Sequence, residues 1–292
     1  MKVAVTKLPS TPWWGNGIIS YEDNPAMQNG KIPDQKILKS ERNDLIKTIH
    51  KNNIEVIEFS FPKIFENSTY GHDYVFIRDA FISDLNGKAL LLKFSQKNRE
   101  SESAIVAKEL EKLNFKIQEL PSKKNMFAEG GEFYFCPKDN ILFSGISRNS
   151  KNGAEEVASF LNVNDLIIIE TNAFHLDTVF STVLDKSGHL CAIIIAEDLI
   201  SKQSIIELKK YANSMNIKVL NAPIHDAFGN NGKNASFAIN SFSSSGLIIS
   251  SNKFSDHQIE SELKSLDVKH EVVPVSQFQL SGGSIHCLTN EL

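Results

Sequence analysis

The sequence predicts an α/β fold of about five like units, each a few short strands and one helix, arranged as a closed ring. Three observations predict it. Five segments carry helical periodicity, short runs rich in Val, Ile and Phe fill the gaps between them, and the helical segments begin at nearly even spacing. No Pro- or Gly-rich linker and no low-complexity stretch divides the 292 residues, so a single domain over 1–292 is expected.

The elements follow in chain order. VAVTKL reads as a first strand, and 34–52 (DQKILKSERNDLIKTIHKN) as a first helix. IEVIEFS, YVFIRDAFIS and KALLLKF are strand-length and bounded by turn residues. In the second helix, 100–114, Val106, Leu110 and Leu113 fall at i, i+4 and i+7 and share one face. FKIQEL, EFYFC and NILFSGI precede a third helix at 152–162. LIIIET, TVFSTVLD and CAIIIA precede a fourth at 201–216. After IKVLNA, FAINSF and LIIS comes a fifth helix at 256–267, where Ser255 with Gln258 three positions on makes a capping box; EVVPV closes the series. Helix starts near 34, 100, 152, 201 and 256 lie about 50 to 65 residues apart, although the residues do not visibly repeat. A doubly wound sheet would alternate strand and helix strictly; here two or three strands usually separate helices, which favours the ring.

Composition narrows the function. A net charge of -4 argues against general nucleic-acid binding, which needs clustered Lys and Arg to displace counterions. A small-molecule partner is expected instead. Cys136, Cys191 and Cys287 are odd in number and far apart, fitting neither a disulfide framework nor a metal clip. No apolar run reaches the roughly 20 residues that span a bilayer, and MKVAVTKLPSTPWW holds no secretory segment, so a cytoplasmic protein is expected. Asn67-Ser68-Thr69 and Asn234-Ala235-Ser236 match the glycosylation acceptor pattern, which carries no weight without a secretory route. GISRN at 145–149 breaks the hydrolase elbow at its fifth position, and HExxH, P-loop and GxGxxG patterns are absent. No His/Cys spacing supports a metal site.

Four polar clusters interrupt the apolar text: HDYVFIRDAF around Asp79, FAEGGEF around Glu129, AFHLDTVF around His175 and Asp177, and GGSIHC at Cys287. Charges set among strand-forming residues are expected to be buried, and buried charge is costly unless something pairs with it. His175 stands two positions before Asp177, so in an extended segment both would face one side. Gly282-Gly283 lets the backbone before Cys287 take an unusual path. Cys136 and Cys191 sit inside apolar strands and read as small buried hydrophobes. Asp79 could simply pair with adjacent Arg78, and Glu129 could be a turn residue before Gly130-Gly131.

Together, Arg78-Asp79, Glu129-Gly130-Gly131, His175-Leu176-Asp177 and Gly282-Gly283-Ser284-Ile285-His286-Cys287 resemble the guanidine-modifying superfamily of arginine deiminases, dimethylarginine dimethylaminohydrolases, agmatine deiminases and amidinotransferases. Order and spacing match from about residue 70 to the end. The resemblance implies the pentein fold, a five-bladed α/β ring of ββαβ-like units. It also implies a Cys-dependent hydrolase acting on arginine or a close analogue through a covalent S-alkylthiouronium, with no cofactor and no metal. In that reading Cys287 is the nucleophile. His175 is the acid and then the base, Glu129 supports its imidazole, and Asp79 and Asp177 hold the guanidinium. Arg99, Arg148 and Asp73 fall where dimethylarginine hydrolases contact the amino-acid end of the substrate, the two arginines on its α-carboxylate.

The chemistry asks for such a set. A guanidinium stays protonated, with a pKa above about 12, and its N–H fork calls for carboxylates. A bound cation also favours thiolate over thiol in a neighbouring cysteine. Dimethylarginine hydrolases usually carry Glu-Asp where this chain has Arg78-Asp79 and lack an acid at Asp177, so arginine is expected over methylated arginine. Glu132 replaces the aspartate that commonly ends EGGD. Amidinotransfer, an arginine dihydrolase giving ornithine, and a non-catalytic pentein binding factor are the alternatives. A homodimer is compatible with all of them.

Overall fold

The computed structural model describes residues 1–14, 31–66, 68, 70–228 and 235–292. The two glycosylation patterns include Asn67, Thr69 and Asn234, which lie outside the described residues. The chain divides into two compact units: Met1–Gly131, Asn149–Leu161 and Val275–Leu292 form unit one, and Glu132–Arg148 with Asn162–Pro274 form unit two.

In chain order the elements are β1 (Lys2–Thr6), α1 (Gln35–Lys51) and β2 (Glu55–Phe59), then β3 (Phe81–Ser83), β4 (Lys88–Leu91), α2 (Ser101–Lys112) and β5 (Lys116–Glu119). Next come β6 (Phe133–Cys136), β7 (Ile141–Gly145), α3 (Lys151–Leu161) and β8 (Asp165–Ile169), followed by β9 (Phe180–Leu184), β10 (Leu190–Ile195), α4 (Lys202–Ser214) and β11 (Lys218–Asn221). The last are β12 (Phe242–Ser244), β13 (Leu247–Ser250), α5 (His257–Ser265), β14 (Lys269–Val272), α6 (Ile285–Leu288) and β15 (Asn290–Glu291).

The strands pair into three-stranded sheets ordered β3-β4-β5, β6-β7-β8, β9-β10-β11, β12-β13-β14 and β15-β1-β2. Each is one antiparallel pair followed by one parallel pair, which makes every unit ββαβ. The first and last of these sheets, in the order given, lie in unit one; the other three lie in unit two.

Local chemistry repeats with the topology. Hairpins turn through left-handed residues, Gly87, Asn140, Gly188 and Gly246, where only Gly or Asn is cheap. Every long helix then stops at a left-handed Asn or Asp: Asn53, Asn114, Asn162, Asn216 and Asp267. In four of them the next residue donates its N–H back across the helix end, Ile54 to Ile49, Phe115 to Leu110, Ile217 to Ala212 and Val268 to Leu263. That bond is the Schellman closure, and it delivers the chain into the parallel strand. At the other end of α1, Asp34 accepts from Lys36 N and Ile37 N, and Leu38, Leu45 and Ile49 are buried.

Three readings need correction. Of YVFIRDAFIS only Phe81–Ser83 is strand; the residues before it lie in two 3₁₀ turns, His72–Val75 and Ile77–Ala80, entered through left-handed Gly71. All eight side chains of these turns are buried, so solvent gives them no alternation to show. FAINSF contributes only Phe242 to a strand. The cap of α5 is Asp256, which accepts from Gln258 N; Ser255 instead gives its N–H and hydroxyl to Asp226 Oδ2 at 2.8 and 2.9 Å. Among the described residues no helix is long and apolar enough to cross a membrane.

Candidate active site

In unit one the Gly-Gly segment explains itself. Gly282 is left-handed, with φ +81°, and a Cβ on Gly283 would lie 2.3 Å from the Phe76 ring. The chain can therefore enter α6, which carries buried Cys287, only without side chains there. Three anchors hold this stretch. Glu41 of α1 accepts from Ser276 N, Ser276 Oγ and Gln277 N. Ser281 Oγ donates to Asp73 Oδ1 at 3.0 Å. Arg78 donates Nε to the His286 carbonyl at 3.2 Å and grips Glu291 with both Nη groups at 2.6 and 3.0 Å. Helix α6 packs on the Ile77–Ala80 turn, so the residue beside Asp79 is bonded to the residue beside Cys287.

Asp79 is gripped by residues well beyond its neighbour Arg78. Its Oδ2 accepts from Arg99 Nη1 at 2.6 Å and its Oδ1 from Gly131 N at 2.9 Å. The backbone approaches that closely because position 130 is glycine: a Cβ there would sit 1.9 Å from the Arg78 carbonyl oxygen. Arg99 also donates Nε and Nη2 to the two oxygens of Glu102 at 2.9 and 2.7 Å, Nη2 to the Asp73 carbonyl at 3.3 Å, and lies 4.5 Å over the Phe94 ring. Burial opposes its charge, but Glu102, Asp79 and Asp73 together hold its pKa well above the usual value. Burial pushes Glu102 up to about 7 against the pull of Arg99. Next to Asp73, the buried His72 imidazole has its pKa lowered, chiefly by desolvation. Glu129 is fully buried; its Oε1 accepts from Ser95 N and Ser95 Oγ at 2.8 and 2.6 Å, and its own N–H goes to Asn149 Oδ1 at 2.7 Å.

In unit two, His175 is extended but Leu176–Thr178 is a 3₁₀ turn, closed by Thr178 N and Oγ1 onto the His175 carbonyl. The extended-segment argument for His175 and Asp177 therefore does not describe this stretch. What fixes it is Glu132, fully buried, whose Oε2 accepts from Leu176 N at 2.8 Å and whose Oε1 accepts from Arg148 N at 2.7 Å. His175 and Asp177 are themselves buried, and Asn240 Nδ2 donates to the Asp177 carbonyl. The Arg148 guanidinium lies 5.5 Å over Phe174.

Unit one thus brings Asp73, Asp79 and Arg99 into one hydrogen-bonded cluster, with Asp73 and Arg78 bracketing the Cys287 segment. Unit two ties the backbone of Arg148 to that of the His175–Asp177 turn. Sequence reasoning missed Ser95, Glu102 and Asn149, and noted Glu132 only as a replacement for the aspartate of EGGD. Their signal was a polar residue, an acid, an amide or a hydroxyl, and nothing in composition separates that from a solvated one. Cys136 is buried and its thiol pushed far up; burial and Asp185 raise Cys191 to about 11. Among the described residues no three His, Cys, Asp or Glu side chains group to hold a metal ion.

Over residues 22–292 the chain matches the family described as N,N dimethylarginine dimethylhydrolase, eukaryotic. The chain belongs to that family. The match spans every candidate residue from Asp73 to Cys287 and makes guanidino-group hydrolysis its activity class. No curated protein matches the sequence. Among solved structures, the N-terminal domain of ArgZ, an arginine dihydrolase from the ornithine-ammonia cycle in Cyanobacteria, in a Cys-to-Ser mutant bound to substrate, is 21% identical over 99% of this chain and 96% of its own, with a TM-score of 0.79. AgrE, in a mutant bound to L-arginine, is 19% identical over 99% of this chain and 40% of its own, with a TM-score of 0.79. A dimethylarginine dimethylaminohydrolase adduct with 4-chloro-2-hydroxymethylpyridine is 12% identical over 100% and 99%, with a TM-score of 0.70. At these identities the likeness speaks to fold, and the dimethylarginine hydrolase family member described here has the pentein fold.

Proposed function

We propose that the protein is a cysteine-dependent hydrolase that cleaves the guanidino C–N bond of arginine or a close analogue. The products are citrulline and ammonia, or citrulline and an alkylamine where the nitrogen is substituted. One observation carries the reading: on one unit, the turn bearing Asp79 is hydrogen-bonded to the short helix bearing Cys287, through Arg78 Nε and the His286 carbonyl. A carboxylate suited to a guanidinium and a nucleophile suited to its carbon are thereby held on one scaffold.

The Cys287 thiolate adds to the guanidinium carbon, a C–S bond forms, and the C–N bond breaks as His175 protonates the departing amine. Water then attacks the S-alkylthiouronium while His175 takes its proton, and the C–S bond breaks to return the thiolate. Glu129, fixed through Oε1 by Ser95, is the carboxylate partner of the acid–base step. Asp79 and Asp177 take guanidinium N–H groups, and Asp73 and Arg148 serve the amino-acid end. Arg99 shares that end, with its guanidinium held in place by Asp79 and Glu102.

A second reading, a further hydrolysis to ornithine, draws support from the likeness to ArgZ, described as an arginine dihydrolase. One panel separates the readings: arginine, mono- and dimethylarginine and agmatine, each with and without glycine as acceptor, scored for citrulline, ornithine, released amine and amidinated glycine. Citrulline without ornithine or glycine adduct is expected. Cys287→Ser should abolish turnover while the protein stays folded, and turnover by that variant would sink the proposal.

A further inference from the structure

We infer that Ser95 is a positioning residue for the acid–base step: its hydroxyl and backbone N–H hold Glu129 by one carboxylate oxygen, and through Glu129 they govern protonation of the departing amine. The inference rests on the reading that Glu129 is the carboxylate partner of His175.

Three segments of unit one, 93–95, 127–129 and 149–153, meet around Glu129. Lys93 and Ala128 exchange both backbone hydrogen bonds, at 3.1 and 3.0 Å, as an antiparallel pair. The next such rung would join residues 95 and 126. It is not made. Met126 N turns back to the Lys123 carbonyl, and Ser95 N donates to Glu129 Oε1 instead. On the far side Ser150 N donates to the Phe127 carbonyl and Ser150 Oγ accepts from Phe127 N, while Asn149 Oδ1 accepts from Glu129 N at 2.7 Å. The approach is so close that a Cβ on Gly153 would lie 2.0 Å from the Phe127 carbonyl oxygen. The main chain at Glu129 is thus fixed from both sides, and the ladder ends on its side chain.

Both Ser95 bonds land on Oε1, the hydroxyl at 2.6 Å and the backbone N–H at 2.8 Å. Lengths of this order belong to donors on a charged carboxylate. Glu129 is fully buried, so each donor helps to offset the cost of keeping that charge out of water. Two donors from one residue also arrest rotation of the carboxylate about its last bond, which sets the direction of Oε2. An imidazole that gives a proton to the amine and later takes one from water works against this counter-charge, and needs it fixed in place. Ser95 is half-buried and acts through Glu129 rather than on the substrate.

The experiment compares wild type, Ser95→Ala and Ser95→Thr on arginine and on S-methyl-L-thiocitrulline, which carries a methylthio group in place of one terminal amino group. With either compound Cys287 Sγ bonds to the central carbon. Arginine then loses ammonia, which needs the proton from His175, whereas the analogue loses methanethiolate, which leaves without one. The same S-alkylthiouronium remains, and water converts it to citrulline. Because kcat/KM covers the steps up to that departure, Ser95→Ala should lower it about tenfold on arginine, part of the roughly 100- to 10,000-fold that a positioned acid–base group supplies, and less than about twofold on the analogue. Threonine keeps the hydroxyl and should recover most of the arginine rate. Equal losses on the two substrates would mark a displaced pocket and overturn the inference. So would a Ser95→Ala enzyme as fast as wild type on arginine, or a Ser95→Thr enzyme as slow as Ser95→Ala.

A second readout needs no turnover. Carbon-13 NMR of the glutamate carboxyls, with Glu129 assigned by the signal that Glu129→Gln removes, reports the bond directly. Loss of the hydroxyl should move the Glu129 resonance, and threonine should return it. A resonance unmoved in Ser95→Ala refutes the hold on Oε1. If wild type turns over neither compound, the proposed hydrolase fails, while the resonance still decides whether Ser95 fixes Glu129.

Discussion

The segments that carry Cys287 and His175 are both buried, yet they are tied down by different chemistry. On the side of Cys287 ion pairs take part: Arg78 to Glu291 and, behind the Asp79 turn, Arg99 to Asp79 and Glu102. Around His175 a single carboxylate, Glu132, takes two backbone N–H groups. In the first arrangement either partner can be removed, and whichever remains is left as a buried charge. In the second the donors belong to the main chain and cannot be mutated away, so all the specificity lies in one side chain. The comparison teaches that an acid satisfied by amides concentrates the risk at a single position, whereas paired ions share it between two.

Glu132→Gln tests this most severely. A glutamine can accept at one oxygen only, and its amide then points N–H at N–H, either at Leu176 or at Arg148. Losing one charge-assisted bond and burying an unmatched donor should cost about 2 to 4 kcal/mol in urea unfolding. Turnover should fall with it, because the backbone at Leu176, next to His175, and at Arg148 loses its fixed point. Gly145→Ala should mimic the effect, since a Cβ there would meet Glu132 Oε2 at 1.9 Å. A Glu132→Gln enzyme with wild-type stability and rate would show that the two amides find other partners.

Glu291→Gln breaks the other kind of tie. Burial raises the Glu291 pKa, but the charge and hydrogen bonds of Arg78 more than reverse this, so the folded value lies below the ordinary 4.5. A depressed carboxylate contributes stability that is present above the unfolded pKa and is lost as pH falls through the folded one. Wild type should therefore lose this contribution on acidification below about pH 4.5, and the variant should show a flatter acid limb in melts across that range. Because the Glu291 side chain is 26% exposed, the expected cost near neutrality is smaller, roughly 1 to 2 kcal/mol. An acid limb identical to wild type would mean that Arg78 does not hold the C-terminal strand through this carboxylate.

The contrast between the regions also explains what could be read beforehand. Helices declared themselves, because an apolar face such as Val106 and Leu110 must recur at helical spacing to be buried. The unit repeat was legible too, though not as residue identity. Asn53-Ile54, Asn114-Phe115, Asn162-Val163, Asn216-Ile217 and Asp267-Val268 are one signal, a left-handed residue followed by an apolar one, standing at every helix exit. The polar clusters announced burial. Their wiring did not, since Glu132 lies 44 residues from Leu176 and Asp79 lies 20 from Arg99, and nothing local marks an acid as facing inward. Arg99 shows the limit best. Its place along the chain suggests a substrate contact, and only the fold shows that it is also bonded to Asp79 and Glu102.

The gentlest test concerns the thiols, one in unit one and two in unit two. Cys191 is half-buried with Sγ donating to the Val183 carbonyl at 3.3 Å, and its pKa near 11 keeps it a thiol at about pH 8, where roughly one molecule in a thousand carries the thiolate. Cys136 is fully buried and shifted further in the same direction. A short pulse of iodoacetamide on the native protein, followed by peptide mapping, should therefore leave both unit-two cysteines unlabelled. Label at Cys287 should instead track loss of activity. Cys191→Ser should leave rate and stability within about 0.5 kcal/mol of wild type, as a position without a named structural task does. Labelling of Cys191 as fast as Cys287 would mean that burial in unit two does not restrain its thiol, and that the helix entered through Gly282-Gly283 offers its cysteine no advantage of position.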